Sequence, residues 1–477
     1  MYKRCLLSAL FLGLWLSRSV QAQDGHYWTQ QYGTKSMLLS GAVIGGVEDL
    51  GAIYYNPGRL GLIENPAFLL SADVYEWERL RVFNAADETG KKSSSDFGGV
   101  PSMVAGSFRL GFLEGHQFAY GILQRSRSDL DVSFEEESFG ELLPGFPGEE
   151  HFRGVLDLEG RSREDWFSLA WSYPFSKRYS IGITTSGVRY SQRKENLIDL
   201  SAHTADGKTA IFNYQRNLRF ERYGLLWKAG LAAAYDRWWL GLTVTTPTIG
   251  LMGKGRFGMQ LLTSNLPEQE DLFVTTDQED LTARHKRPWS VGAGATYRLK
   301  RGNIHLSAEW YSRVPHYVML QADDYIGQSD GETYQFALYD ELKSIVNAGI
   351  GLEYAVGEKL SLFASCATDF SVVDTSRTTF SEMKPIAASS IFSADMLNVG
   401  GGFILKVKGV DLTLGVTHTG GWETFRRVVN FPDEGDTGPV LPEEGEEGRL
   451  RWSRWRIVFG FQVPFLKSKV AQLEGGL

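Results

Sequence analysis

From Trp455 to Phe465 every odd-numbered position is large and apolar: Trp455, Ile457, Phe459, Phe461, Val463 and Phe465. The even positions carry Arg456, Val458, Gly460, Gln462 and Pro464. Successive side chains of a β-strand point to opposite faces, so this segment has one greasy face and one mixed face. The same period of two recurs upstream. Leu225, Trp227, Ala229 and Leu231 alternate with Leu226, Lys228 and Gly230. Val291, Ala293, Ala295 and Tyr297 alternate with Gly292, Gly294, Thr296 and Arg298. Ile304, Leu306, Ala308 and Trp310 alternate with His305, Ser307 and Glu309. Ile350, Leu352 and Tyr354 flank Gly351 and Glu353, and Leu412, Leu414 and Val416 alternate with Asp411, Thr413 and Gly415. Aromatic residues gather near the ends of the apolar rows. One such strand would also fit a soluble sandwich.

The connections narrow the choice. The pattern predicts about fourteen strands, an even number, as in bacterial barrels. Their centres fall near residues 74, 105, 122, 168, 186, 228, 244, 292, 307, 350, 364, 401, 414 and 459. Tight turns near Leu113-Glu114-Gly115, Phe175-Ser176-Lys177, Asp236-Arg237, Leu299 to Gly302, Val356-Gly357-Glu358 and Val407-Lys408-Gly409 take turns with long polar connections. The latter are read as 135–150, 195–211, 251–284, 313–342, 371–389 and 421–448. Outer-membrane barrels alternate in this way, with short turns in the periplasm and long loops outside. The expected fold is all-β: a 14-stranded antiparallel transmembrane β-barrel. No apolar run after the first twenty residues reaches the length of a spanning helix, so a membrane location requires a closed barrel.

The amino terminus supplies an export signal. Lys3 and Arg4 precede an apolar core from Leu6 to Leu16, and Val20-Gln21-Ala22 forms a cleavage site. The expected organisation is signal peptide 1–22, plug 23–66, barrel 67–465 and periplasmic tail 466–477, in the outer membrane of a Gram-negative bacterium. After the leader only Cys366 remains, which excludes an internal disulfide. A net charge of −8 without a basic cluster argues against nucleic acid as a partner. The acidic runs Glu135-Glu136-Glu137 and Glu443-Glu444-Gly445-Glu446-Glu447 read as solvated loops. Hydrolase and phosphate-loop motifs are absent, and the eight histidines have no metal spacing. No catalytic residue, metal or cofactor is expected. His418, at a strand end, reads as interfacial.

Residues 23–66 do not alternate. They are rich in small residues and hold Glu48-Asp49, Tyr54-Tyr55, Asn56-Pro57-Gly58 and Leu60-Gly61. A barrel of about fourteen strands has a lumen too wide for its own side chains to fill, so this segment is the candidate plug. Asn-Pro-Gly is also a strong turn former anywhere. The inward rows carry Lys228, Arg298, His305, Glu309, Glu353 and Asp411, a polar network expected to hold the plug. After the seventh strand, Leu251, Met252, Phe257, Met259, Leu261 and Leu262 are dense for a loop, and Lys254 and Arg256 could meet a carboxylate. The other reading is that the seventh strand continues beyond the membrane and these residues pack on its neighbours.

The small-residue run, Glu48-Asp49, the aromatic pair, Asn56-Pro57-Gly58 and Leu60-Gly61 together resemble the amino-terminal hatch of the FadL/TodX outer-membrane transporters. That family commonly has Asn-Pro-Ala where this chain has Gly58, and the tail beyond Phe465 is a second departure. The resemblance implies passive, hatch-gated uptake of hydrophobic compounds, long-chain fatty acids or aromatic hydrocarbons, with a lateral exit in the wall. It also implies a greasy capture groove among the outer loops. Expected partners are a fatty-acid-like small molecule, outer-membrane lipid and the barrel assembly machinery, with the chain a monomer. The alternatives are a barrel without transport that acts as a PorV-type secretion shuttle, and an outer-membrane hydrolase.

Overall fold

The computed structural model describes residues 25–63, 69–70, 73–84, 91–101, 103–141, 148–266, 269–373, 394–407, 410–426 and 447–462. The expected leader, the expected strand end at Val463 to Phe465, the expected tail, the turn Lys408-Gly409 and most of the connections 371–389 and 421–448 lie outside these residues.

One large antiparallel sheet dominates. Gln117–Gly140, Glu150–Pro174, Tyr179–His203 and Thr209–Ala234 pair in chain order. Thr209–Ala234 then pairs with both Trp238–Thr245 and Ile249–Ser264. Those two segments pair in turn with Ser290–Leu299 and Leu272–Thr282. Gly302–Tyr311, Ile345–Ala355, Leu360–Asp369, Met396–Val407, Val410–Arg426 and Glu447–Gln462 continue the series. The last of these pairs with the first long strand, Asp73–Phe83, with Trp77 opposite Trp455. No helix among the described residues is long and apolar enough to cross a membrane.

The two faces of the sheet are inverted relative to a water-soluble protein. Leu414, Val416, Trp455, Ile457 and Phe459 are exposed, whereas Thr413, Thr417, Arg456 and Val458 are buried. A large continuous apolar surface of this kind marks contact with something other than water.

The strands run much further than the alternation of apolar residues suggests. Most of the described residues in the stretches 135–150, 195–211 and 251–284, read above as polar loops, are strand. Their polarity is that of strands exposed to water, held by cross-strand ion pairs. Arg153 donates to Glu135 at 3.0 Å, Arg189 to Glu221 at 3.1 Å and Arg256 to Asp277 at 2.9 Å. The connection 313–342 contains a hairpin of Val314–Gln321 and Ala337–Leu342. Its Leu320, Leu338 and Leu342 join a buried cluster with Phe220, Phe257 and Leu261 from the long strands.

Residues 25–63 lie against the buried face. They form helix α1, Thr34–Leu38, helix α2, Ala52–Tyr55, and a 3-10 turn, Pro57–Leu62. Leu38, Leu39, Val43, Leu50, Ile53 and Leu60 are buried there with Met103, Ala119, Trp166 and Leu226 of the sheet. Close approach depends on small residues in the strands: a Cβ on Gly241 would sit 2.1 Å from the carbonyl oxygen of Ile44. Gly241→Ala should therefore push the segment off the wall at a cost of ~1–3 kcal/mol, the usual range for overpacking. Hydrogen exchange is expected to accelerate across residues 25–63 and stay unchanged in the strands.

Candidate functional site

The site is built around the turn at Asn56. Asn56 is fully buried, and its amide donates to the carbonyls of Ile44 and Leu231, both at 3.0 Å. Its Oδ1 accepts from Gly58 N at 3.0 Å, capping the 3-10 turn that Pro57 begins. One side chain thus ties two parts of the segment to the sheet. A Cβ on residue 58 would lie 2.7 Å from the Gly230 carbonyl oxygen, which accounts for glycine where the resembling family carries alanine. Arg59 donates to the Val47 carbonyl and stacks over Trp239.

Above this turn lies a belt of buried charge. Glu309 accepts from Tyr311 and Ser290, each at 2.7 Å, and from the Trp28 indole at 3.2 Å, with Lys228 3.9 Å away. Glu164 pairs with Arg287 and accepts from Trp166. Asp369 accepts from the backbone of Tyr27 and Trp28 at 3.0 and 2.9 Å. Arg456 donates to the Thr29 carbonyl at 3.0 Å and to Glu76 at 2.7 Å. Buried ions of this kind persist only when paired and hydrogen-bonded.

One part of the wall is incomplete. Met103–Phe108 pairs with Gln117–Gly140 only as far as Leu123. Lys91–Pro101, the preceding strand, pairs with Asp73–Phe83. Among the described residues no ladder joins Lys91–Pro101 to the stretch beyond Leu123. At this seam the register slips between Gln124 and Ser126, and Arg125 turns inward. The Tyr32 hydroxyl donates to the Gln124 carbonyl at 2.8 Å, and Arg125 donates to the Tyr27 carbonyl. Arg125 also lies over the rings of Tyr27 and Tyr54. Residues 25–63 therefore touch the seam directly.

The residues singled out from sequence separate into groups. Lys228 and Glu309 meet in the belt. His305 bonds Thr296 at 3.0 Å and lies 3.8 Å from Glu353, which in turn holds Lys35 at 2.9 Å. Arg298 lies at the turn end of its strand, exposed and over Trp239. Asp411 lies at the start of its strand, opposite Lys406 and Gln462. Neither Arg298 nor Asp411 joins the belt. Leu251 to Leu261 stand on the strand Ile249–Ser264, not on a loop. Phe257, Met259 and Leu261 point inward, and Phe257 stacks on Phe336 at 4.1 Å. Leu251, Met252, Lys254 and Arg256 are exposed, and the two cations pair with Asp280 and Asp277. The cations and the inward apolar group are thus on opposite faces. His418 packs against Trp455 on the outward face. Arg125, Glu164 and Arg287 escaped the sequence reading. The signal for the first was the run Gln124-Arg125-Ser126, which breaks the alternation.

By sequence alone, no family model matches the chain, and no curated protein matches it either. By structure, the chain is similar to the Pseudomonas putida toluene transporter TodX, at 14% identity, covering 93% of this chain and 99% of TodX with a TM-score of 0.50. A Pseudomonas aeruginosa FadL homologue aligns at 10% identity over 91% of this chain and 99% of its own, with a TM-score of 0.53. A deltaS2S3 mutant of TodX, a monoaromatic hydrocarbon channel, aligns at 13% identity over 90% and 99%, with a TM-score of 0.52. The chain shares the fold of the FadL/TodX-type proteins.

Asp49 makes the packing of residues 25–63 sensitive to pH. Burial pushes its carboxyl up to about 6, against the opposing pull of the Gly51 amide and Lys35. A value raised by packing means that the protonated form is favoured. The stability this confers is full below about pH 4 and is lost as pH rises through about 6, a loss of roughly 3 kcal/mol by neutral pH. Protease protection of residues 25–63 should be greater at pH 4.5 than at pH 7.5. Asp49→Asn should flatten that difference.

Proposed function

We propose that the sheet closes into a fourteen-stranded outer-membrane barrel, that residues 25–63 plug it, and that hydrophobic molecules cross it passively. Closure is supported by the ladder between Asp73–Phe83 and Glu447–Gln462, the first and last long strands. The outward greasy rows are the lipid contact, and the short turns face the periplasm. The plug reading is supported by bonds from residues 25–63 to strands all around the sheet: Gln124, Ser172, Thr184, Leu231, Ser307, Glu353, Ser365 and Arg454.

The observation that carries the functional reading is the contact between this segment and the unpaired edge. Tyr32 caps the Gln124 carbonyl where the ladder stops, so a shift of the segment opens the wall sideways. A lateral route suits an apolar cargo, which leaves into lipid without crossing water. Phe257, Met259 and Leu261, with Phe336 and Tyr325 beside them, form the entry site on the loop side. Arg216, over the Phe336 ring, replaces Lys254 and Arg256 as the group placed to meet a carboxylate there. The similarity to a toluene transporter, a monoaromatic hydrocarbon channel and a FadL homologue supports an aromatic hydrocarbon or a long-chain acid as cargo.

Deleting residues 24–50 is expected to leave a folded barrel that passes ions in planar bilayers, while the parent stays tight. A deletion variant as tight as the parent refutes the plug and favours a shuttle role without transport. Phe257→Ala with Met259→Ala should weaken binding of long acids by several fold. Binding of acids to the parent should strengthen by about 0.8 kcal/mol for each methylene buried. A flat series would remove the entry site.

A further inference from the structure

The register of the strands arranges the outward face in rows near the first and last strands. Trp77 stands opposite Trp455 and Phe97, and Trp455 stands opposite His418, giving an aromatic row. Girdles of this kind sit at the membrane interface. The next row toward the loops holds Arg79, Ser453 and Gly420. Beyond it Arg81 stands directly opposite Arg451, which has Trp422 on its other side. Phe83 and Arg449 face each other in the row after that.

Like charges opposed across a sheet are destabilising. Here Arg81 and Arg451 are direct neighbours, with Arg79 and Arg449 on the diagonals. Among the described residues no carboxylate forms an ion pair with any of these four arginines. The nearest acid on this face by register is Glu447, opposite Arg426. The inward face of the same strand pair is arranged differently: Arg454 and Arg456 both pair with Glu76. The sheet thus neutralises its inward arginines and leaves the outward set to an anion from elsewhere.

A groove of about 550 Å³ opens beside this set. It exists because Gly420 and Ser453 are small where their neighbours are large. Arg449 and Arg451 line it at the loop side, and Leu397, Val399 and Trp422 line it with apolar surface. Cations at one end and a greasy trough at the other match an amphiphile that carries phosphate on its head. Arginine pairs are well suited to phosphate, which they bind through several charge-assisted hydrogen bonds.

We infer that this outward groove binds a phosphorylated lipid of the surrounding leaflet, with its phosphate at the loop-side rim, where Arg449 and Arg451 line the groove and Arg81 stands opposite Arg451, and an acyl chain along Leu397, Val399 and Trp422. The assignment rests on the membrane reading given above. The bound lipid neutralises the arginines next to the ladder that joins the first strand to the last, and so secures the place where closure occurs.

The test is native mass spectrometry of the full mature chain in a neutral detergent. The probes are diphosphoryl lipid A, its dephosphorylated counterpart and inorganic phosphate. One diphosphoryl lipid per chain is expected, with retention about tenfold weaker for the dephosphorylated form, as charge-assisted bonds to phosphate require. Arg81→Ser with Arg451→Ser should lose the lipid to a similar extent, and Arg81→Lys with Arg451→Lys should recover much of it. Ser453→Phe fills the groove without removing charge and should also lose it, which guards against misfolding of the arginine variant. Equal retention of both lipids, or no loss in either the serine or the phenylalanine variant, overturns the inference. Displacement by millimolar inorganic phosphate overturns it in favour of a free-anion site. Because the readout is in detergent, it is independent of transport; recovery of the protein in the soluble fraction would instead sink the membrane reading.

Discussion

A segment that is neither regular helix nor strand must still find partners for its buried N–H and C=O groups. Residues 25–63 meet this constraint with the inward side chains of the sheet. Ser307 accepts from Ile44 N, Ser172 from Gly61 N, and Asp369 from the amides of Tyr27 and Trp28. Thr184 and Ser365 donate to the carbonyls of Ile53 and Leu38, each at 2.8 Å. The inward rows are small and hydroxylic because they serve as the segment's solvent. The outward rows are then free to be greasy, and the alternation visible throughout the chain follows from this division of labour.

The inward face has three levels. Small residues and glycines meet the amino-terminal segment. The paired charges of Lys228, Glu309, Glu164 and Arg287 come next, and the aromatic cluster with the inserted hairpin lies beyond them. Replacing buried ion pairs by apolar residues often stabilises a protein, so their presence argues for a specific arrangement over raw stability. Here the ions orient Trp28, Trp166 and Tyr311, and Arg125 is held among Tyr27 and Tyr54 at the seam. The polar belt and the missing ladder therefore meet at one place, and residues 25–63 touch both there.

Much of this fold was legible in the chain because each strand contrasts one apolar row with one small or polar row. The strand centres from 74 to 459 all fall on observed strands, and the tight turns fall between them, except that Lys408-Gly409 lies outside the described residues. Asn56-Pro57-Gly58 stood out as a turn, although its buried ties to Ile44 and Leu231 depend on residues far apart in sequence. Where both rows become polar the contrast disappears, so the water-exposed halves of the strands resembled loops. Parity puts Arg298 and Asp411 in the row opposite the apolar one, but parity carries no position along the strand, and both lie near strand ends. The seam depends on which strands fail to pair. That information is absent from any one strand, apart from the broken alternation at Gln124-Arg125-Ser126.

Under the proposed function the amino-terminal segment must move before cargo passes. Ser40 and Ser365 lie with their hydroxyls 2.8 Å apart, one on the segment and one on the wall. Cysteines at both positions, with Cys366→Ser to remove the neighbouring thiol, allow the segment to be locked by oxidation. Uptake of toluene or a long-chain acid into proteoliposomes is the direct measurement. Oxidation should abolish uptake, and reduction should restore it. Uptake by the oxidised, cross-linked protein at the rate of the reduced one would contradict it.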